Sequence, residues 1–399
     1  MLVPLVSVII PTHNRASYAV PTIRSVLAAS PDIEVVVCDT SEVDLISSEF
    51  INDPDISRLN LVRPNRPMSV VDNFNEAMSA ATGEYLVFIG DDDFVSSKIV
   101  DVAKWATKEQ VDSVKFTFPV HYYWPDYIHR TRGDGYSGVM YIAPFTGAFT
   151  QHDAKKALTE ALRSFGGGVF EMPRAYAGMI SRELADRICK KYGALFGGVS
   201  PDIYSAALIS LESSKCVKVD YPAIIPGASG ASTAGQSAQG KHVGGLRDNP
   251  HIGAFKNLKW DERIPEFYSV PTVWSYSLLK AVEVSGFELK RVNFLRLYTK
   301  CVIFQRTYVQ FTLISLSIYI KNNGLFRTTI GLLAACVAEI LWIIGKFYLR
   351  LTEKLAFSNK IIVKDLKDTF IAQESLRYHL NNFKLQSNLK TSLADCDGI

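Results

Sequence analysis

The cysteines of this chain are few and scattered. Of six, the nearest two are Cys189 and Cys216, so no CxxC pair is available for zinc or for a redox dithiol. A reducing, cytoplasmic compartment fits that usage. Uninterrupted apolar runs of the roughly 18 to 20 residues that a membrane span needs are missing as well. No basic leader precedes the first apolar stretch, MLVPLVSVIIPTHNR, which meets Pro11 early and reads as a buried strand instead of a signal peptide. Like charges form no blocks, and no stripe of interleaved basic and aromatic residues appears, which argues against a nucleic-acid partner. No internal repeat is present.

What is there describes a globular chain. Its 399 residues, 48% hydrophobic and 21% charged, suffice for about two or three domains and exclude disorder as a whole-chain description. A formal net charge of +3 hides an asymmetry. Residues 266–399 hold 17 Lys and Arg against 10 Asp and Glu, whereas the first 265 residues carry a net −4.

Over the first 120 residues short β-rich runs alternate with amphipathic stretches, the pattern of βαβ units around a mostly parallel sheet. Strands are expected at 6–10, 33–38, 59–62 and 84–89. A first helix runs from Ser17, read as its N-cap, to Ala29, and a second carries the stripe Val70, Phe74, Ala77, Met78 and Ala81 and stops at Gly83. Another helix is expected over 182–191. Residues 226–250, almost all Gly, Ser, Ala and polar, read as a mobile loop or linker. Beyond Pro265 the pattern is helical to the end. The resulting division is 1–225, a linker or lid over 226–265, and a basic, apolar helical region over 266–399.

Within that last region 311–320 and 330–345 are strongly apolar, the second broken among charged residues only by Glu339. Lys300, Arg306, Lys321, Arg327, Lys346, Arg350 and Lys354 surround them. Three arrangements stay open: buried helices of a subdomain or homo-oligomer interface, a hairpin lying on an anionic membrane surface, and a true span.

The strand at 84–89 runs into Asp91, Asp92 and Asp93. Adjacent carboxylates repel and lose hydration when brought together. A divalent cation removes that penalty, and hard oxygen ligands suit Mg²⁺ or Mn²⁺ completed by waters and substrate phosphates. A solvated acidic turn before the helix that begins near Ser96 is the alternative.

The segments VSVIIPTHNR, VVVCDTS and VVDNFNEAMSAATGEYLVFIGDDDF resemble, in order and spacing, the nucleotide-sugar domain of glycosyltransferase family 2, which has the GT-A fold. The resemblance covers about the first 100 residues. It implies an α/β, Rossmann-like catalytic domain followed here by the α-helical carboxyl-terminal region. It also implies that Pro11, Thr12, Asn14 and Arg15 line the nucleotide pocket and that Asp39 contacts the base or ribose. The Asn65–Asn75 stretch, Asn73 within it, would border the donor. Asp91 to Asp93 matches the metal-binding DxD motif, with Asp91 and Asp93 reaching the metal and Asp91 and Asp92 the donor. His13 reads as an ordinary loop residue.

An inverting transfer needs one general base to deprotonate the acceptor hydroxyl. In this family that base is an aspartate late in the catalytic domain, and the best match is Asp202 in GGVSPDIYSAALIS, at an expected helix start. A plain first-turn acid is the competing reading, and Asp153 and Glu171 are alternatives. The QxxRW motif of processive synthases is absent, which implies single additions. Gly235 to His242, GQSAQGKH, satisfies GxxxxGK, but His242 stands where a P-loop needs Ser or Thr. It reads instead as a lid bringing Lys241 and His242 to a bound diphosphate, or as a passive linker.

The resemblance thus implies an inverting, metal-dependent glycosyltransferase. Its donor would be a nucleoside diphosphate sugar, UDP first, with Mn²⁺ or Mg²⁺ as cofactor, and its acceptor a hydroxyl of a glycan or lipid-linked glycan, as in surface polysaccharide synthesis. It would act in the cytoplasm or at the inner face of the cell membrane. Alternatives are a nucleotidyltransferase, although PTHNRAS lacks the expected glycines, and a non-catalytic scaffold of the same fold.

Overall fold

The computed structural model describes residues 3–240, 243–255, 257–356 and 360–382. Its strands are β1 (Val6–Thr12), β2 (Ile33–Asp39), β3 (Leu59–Val62), β4 (Tyr85–Phe88), β5 (Phe94–Val95), β6 (Ser113–Phe116), β7 (Val120–Tyr123), β8 (Val139–Ile142), β9 (Phe149–Gln151), β10 (Met179–Ser181), β11 (Cys216–Val219), β12 (Ile224–Ile225), β13 (Gly227–Ala228) and β14 (Ile361–Val363). The helices are α1 (Ala16–Ala29), α2 (Ser47–Phe50), α3 (Val70–Ala80), α4 (Lys98–Lys108), α5 (Ala154–Arg163), α6 (Arg182–Tyr192), α7 (Pro201–Glu212), α8 (Thr233–Ala238), α9 (Pro250–Gly253), α10 (Val270–Ser285), α11 (Phe294–Phe304), α12 (Val309–Asn323), α13 (Leu325–Ala356) and α14 (Thr369–Asn382).

The central sheet has eight strands in the order β3-β2-β1-β4-β10-β6-β11-β9. β1 pairs in parallel with both β2 and β4, and β2 with β3, while β10 and β9 run antiparallel to their neighbours. The short alternating runs of the first 90 residues produce this directly. Val8 and Ile10 enter the core under α1 and α4, and Ile9 enters the opposite core under α3, α7 and α10, because successive strand residues point to opposite faces. The fold class is therefore the expected one, an α/β protein with a mostly parallel sheet and a helical carboxyl-terminal region.

Several local expectations change. Ser17 does not cap α1; Arg15 holds that position and makes no side-chain cap, because a guanidinium has no acceptor to offer the helix N–H groups, and it reaches instead into the acidic cluster described below. α3 starts at a reciprocal capping box between Ser69 and Asp72 and ends at Ala80, before Gly83. Gly83 is needed for a different reason: a Cβ there would lie 2.6 Å from the Ser7 nitrogen. The chain after Pro265 is not helical throughout. β14 pairs antiparallel with β8, completing a second sheet in the order β13-β7-β8-β14, and Leu366, Ala372 and Leu376 pack against that sheet.

Residues 226–250 also depart from a structureless linker. β13 pairs with β7, Ser229 is fully buried, and Ser232 caps α8. The small residues serve close approach. A Cβ on Gly227 would stand 1.7 Å from the Asp92 carbonyl oxygen, and one on Gly235 would stand 2.1 Å from that of Ser229.

Candidate functional site

From β1 the chain steps one way to β2 and β3 and later the other way to β4, so the carboxyl ends of β1 and β4 flank a switch point in strand order. Open α/β sheets take ligands at such crevices. A cleft of about 620 Å³ opens here, lined by Pro11, Thr12, Arg15, Asn73, Asp91 and Asp92 among others.

The acidic triplet follows β4 after Ile89 and Gly90 and is buried, with all three residues no more than 6% exposed. Each carboxylate finds protein donors. Thr12 Oγ1 donates to Asp91 at 2.6 Å, and Arg15 Nε lies 2.8 Å from the other Asp91 oxygen. Asp92 accepts from the Ser229 nitrogen at 3.1 Å and from its hydroxyl at 2.6 Å, and Arg15 Nη2 stands 3.0 Å away. Trp124 Nε1 holds the Asp92 carbonyl at 2.9 Å. Asp93 turns elsewhere: it accepts from the Gly90 and Gly227 nitrogens, each at 2.7 Å, and from the Tyr176 hydroxyl at 3.2 Å.

Burial pushes the Asp91 carboxyl up to about 6, against the pull of Arg15. Burial, and then the charge of Asp92, raises Asp93 to about 7. Burial would lower the pKa of Arg15, but Asp91 and Asp92 outweigh it and hold the guanidinium above its usual value. One polar atom in the cleft lining, the acceptor Asn73 Oδ1, is buried without a hydrogen-bond partner. Such orphans are rare unless a ligand completes them.

The pair named for the metal, Asp91 and Asp93, is divided. Asp91 and Asp92 line the cleft, and Asp93 is absorbed in fixing backbone and Tyr176. Among the described residues no three His, Cys, Asp or Glu side chains converge on one point. The donor set therefore fits a hard divalent cation held by one or two carboxylates and completed by water and substrate phosphate, and does not fit an all-protein cage. Asp91 and Asp92 face one guanidinium, that of Arg15, between them.

Thr12 and Asp39 are register partners at the ends of β1 and β2. Asp39 is ion-paired with Arg63 and accepts from the Ser41 nitrogen at 2.9 Å. Asn14 takes φ +54° between them, a left-handed conformation that asparagine tolerates, and its nitrogen donates to Ser41 at 2.7 Å. His13 leans on Thr40 and also lines the cleft. Asn73, on α3, donates to the Thr12 carbonyl at 3.3 Å.

Asp202 lies in the first turn of α7, behind Pro201, accepting from Ser200 and from the Ile203 nitrogen. It is apart from the cleft lining. Arg174 stands within charge range of both Asp202 and Asp93, and these, with Tyr176 and Glu171, oppose a lowering of its pKa by burial. Of the alternatives, Asp153 caps α5 and Glu171 pairs with Lys115 and Lys218. Lys241 and His242 lie outside the described residues. Sequence reasoning missed Tyr176, Arg174, Arg63 and Ser229. Only Ser229 had a signal, a serine between glycines in a stretch of small residues, and that was read as mobility.

Residues 7–169 match the family model described as Glycosyl transferase family 2. An uncharacterized glycosyltransferase of Mycoplasma genitalium is 30% identical over 120 residues, covering 28% of this chain and 40% of that protein. A UDP-Glc:alpha-D-GlcNAc-diphosphoundecaprenol beta-1,3-glucosyltransferase of Escherichia coli is 29% identical over 126 residues, covering 31% and 49%. The chain thus spans less than half the length of these curated relatives. Among solved structures, S. aureus TarS in complex with UDP-GlcNAc is 14% identical with a TM-score of 0.44, over 80% of this chain and 92% of that one. A Pyrobaculum calidifontis mannosyltransferase in complex with GDP-Man and Mn²⁺ is 16% identical with a TM-score of 0.39, over 90% and 89%.

Proposed function

From the premise that residues 7–169 of this chain belong to glycosyl transferase family 2, we propose that the protein is an inverting glycosyltransferase. It moves a sugar from a nucleoside diphosphate donor to a hydroxyl of a glycan or lipid-linked glycan. The observation that carries this reading is the buried Asp91–Asp92–Arg15 cluster at the strand-order switch point, in a cleft whose lining holds an unpaired acceptor, Asn73 Oδ1. UDP is the expected carrier, with the name of the Escherichia coli relative, a UDP-Glc-dependent transferase acting on a diphosphoundecaprenol-linked sugar, as support for both donor and acceptor class.

In this reading the loop Pro11 to Arg15, with Asp39 behind it, holds the nucleotide, and the Arg15 guanidinium offers charge to the departing diphosphate. Asp91 and Asp92 would hold Mn²⁺ or Mg²⁺, which would supply further positive charge at that diphosphate. Asp202 accepts the proton of the acceptor hydroxyl as that oxygen attacks the anomeric carbon from the face opposite the leaving group. Asn73 borders the donor through its free Oδ1. Lys241 and His242 are the candidates for a lid over the diphosphate. A nucleotidyltransferase would want glycines in the loop after β1, where this chain has PTHNRAS.

The test is a thermal-shift titration with UDP, GDP, CDP and dTDP, each with and without Mn²⁺. A ligand that binds only the folded state raises its apparent stability. A metal-dependent rise with one diphosphate supports the reading and names the carrier. Absence of any rise, with nucleotide-sugars included, rejects it.

A further inference from the structure

α13 is the one helix among the described residues long and apolar enough to cross a bilayer, with mean hydropathy 2.0 over Leu325–Leu349 and 11% of its apolar window buried. A core helix of that composition would be mostly buried. Here only a narrow stripe, Thr328, Ala335 and Glu339, turns inward onto α11, where a Cβ on Gly331 would already meet Leu295 at 2.4 Å. From Ile340 to Leu349 every residue is exposed, all round the helix. Ile340, Leu341, Ile344 and Phe347 are each more than half exposed. A second protein copy covers one face of a helix, whereas a fluid apolar phase covers all of them.

The charges agree. Glu339 is the sole acid between Arg306 and Arg350. It is fully buried and paired with Arg296 at 2.6 Å and with Lys300. Arg306, Lys321, Arg327 and Lys346 remain exposed, so between Arg306 and Leu349 the only charges on the outer face are cations. Trp342 sits under Lys346, with 5.9 Å from the ammonium to the ring centroid, the amphipathic pairing found at lipid headgroups.

Topology decides how far in it goes. The first half of α13 packs on α11, part of the main core. Ala356 is followed five positions later by Ile361, where β14 pairs with β8. Five residues reach at most about 18 Å, well short of the roughly 30 Å hydrocarbon core. Both ends of the helix are therefore tied to one folded body. We propose that α13, with the exposed side of α12, is a handle that embeds in one leaflet of an anionic phospholipid membrane without crossing it.

Flotation of the full-length protein with preformed vesicles of phosphatidylcholine, with and without phosphatidylglycerol, tests this. Binding is expected in the presence of phosphatidylglycerol, falling by about tenfold or more in the variant I340E/I344E, which puts charge on exposed positions. An unchanged melting curve of that variant separates lost docking from lost folding. To test depth, Asn322→Cys and Lys364→Cys, each in a background with Cys189, Cys336 and Cys396 replaced by serine, should both label with a membrane-impermeant thiol reagent added outside the vesicles. Failure of the wild type to float, equal flotation of the variant, labelling at one position only, or a dimer in detergent-free solution that the variant breaks would each overturn the proposal.

Discussion

The guanidinium of Arg15 lies 2.8 Å from Asp91, tying the loop after β1 to the loop after β4, and reaches Asp92 at 3.0 Å. All three side chains are less than a fifth exposed. Removing the cation leaves two carboxylates buried without their counter-charge, a class of change that costs about 3–5 kcal/mol. Arg15→Ala is expected to lower the melting temperature and abolish transfer. Combining Arg15→Ala with Asp91→Asn and Asp92→Asn removes the stranded charge, so the triple variant should melt higher than Arg15→Ala alone yet remain unable to bind nucleotide in the presence of Mn²⁺. Calorimetry and nucleotide titration on both separate charge balance from ligand binding.

Gly227 is held against Asp92 so closely that no side chain fits, its ideal Cβ falling 1.7 Å from the Asp92 carbonyl oxygen. Its nitrogen also fixes Asp93 at 2.7 Å. Gly227→Ala should push β13 off the triplet, cost about 1–3 kcal/mol as overpacking does, and weaken donor affinity along with stability. Ala228→Gly next to it, where no such approach is required, should leave donor affinity within about twofold, so the comparison isolates the contact.

The first ninety residues were legible because a parallel sheet buried on both faces demands continuous apolar strands, and each of β1 to β4 falls within two residues of its expected ends. The acidic triplet was legible for a related reason, since three carboxylates at the end of a buried strand are costly enough to stand out. What was hidden depends on contacts between distant positions. Nothing near Tyr176 announces that its hydroxyl will meet Asp93, and Arg63 sits in an unremarkable RPNRP turn before it pairs with Asp39. Residues 226–238 misled because small residues that let backbones touch and small residues that let a chain move have the same composition. β14 was lost among helical periodicity because a three-residue strand carries almost no pattern.

Asp202 sits beyond the cleft lining, with Arg174 in charge range of both it and Asp93. If Asp202 takes the acceptor proton, Asp202→Asn should reduce turnover by about 10²- to 10⁴-fold with nucleotide affinity unchanged. Should Asp202 serve only as a first-turn acid of α7, the same substitution would lower stability slightly and leave turnover near wild type. Single-turnover kinetics with the donor saturating decide between them.

Glu339 is the hinge of the helical region's charge balance, accepting from Arg296 and Lys300 with no exposure to water. Glu339→Gln strands two buried cations and should cost about 3–5 kcal/mol, whereas the triple change Glu339→Leu, Arg296→Leu and Lys300→Leu should recover most of it. Chemical denaturation of the two variants measures the difference. A single variant as stable as wild type would mean the cations escape to solvent when released.

Asp261 offers a pH signature away from the cleft. It accepts from Arg263 Nε at 2.8 Å and Nη2 at 2.6 Å, and Arg263 also reaches Glu283 at 2.6 Å. Burial alone would raise the Asp261 carboxyl, but the hydrogen bonds and charge of Arg263 outweigh it and hold the pKa below its ordinary value. A carboxylate whose folded pKa is depressed binds fewer protons folded than unfolded, so its contribution is present above the unfolded value of about 3.9 and is lost as pH falls through the folded pKa. Asp261→Asn should therefore be less stable than wild type at neutral pH, and the gap should close as pH drops below about 4. Paired melting curves from neutral pH downward read this directly. A gap that stays constant with pH would show that the asparagine loses packing or hydrogen bonds and that the ion pair itself contributes nothing to stability.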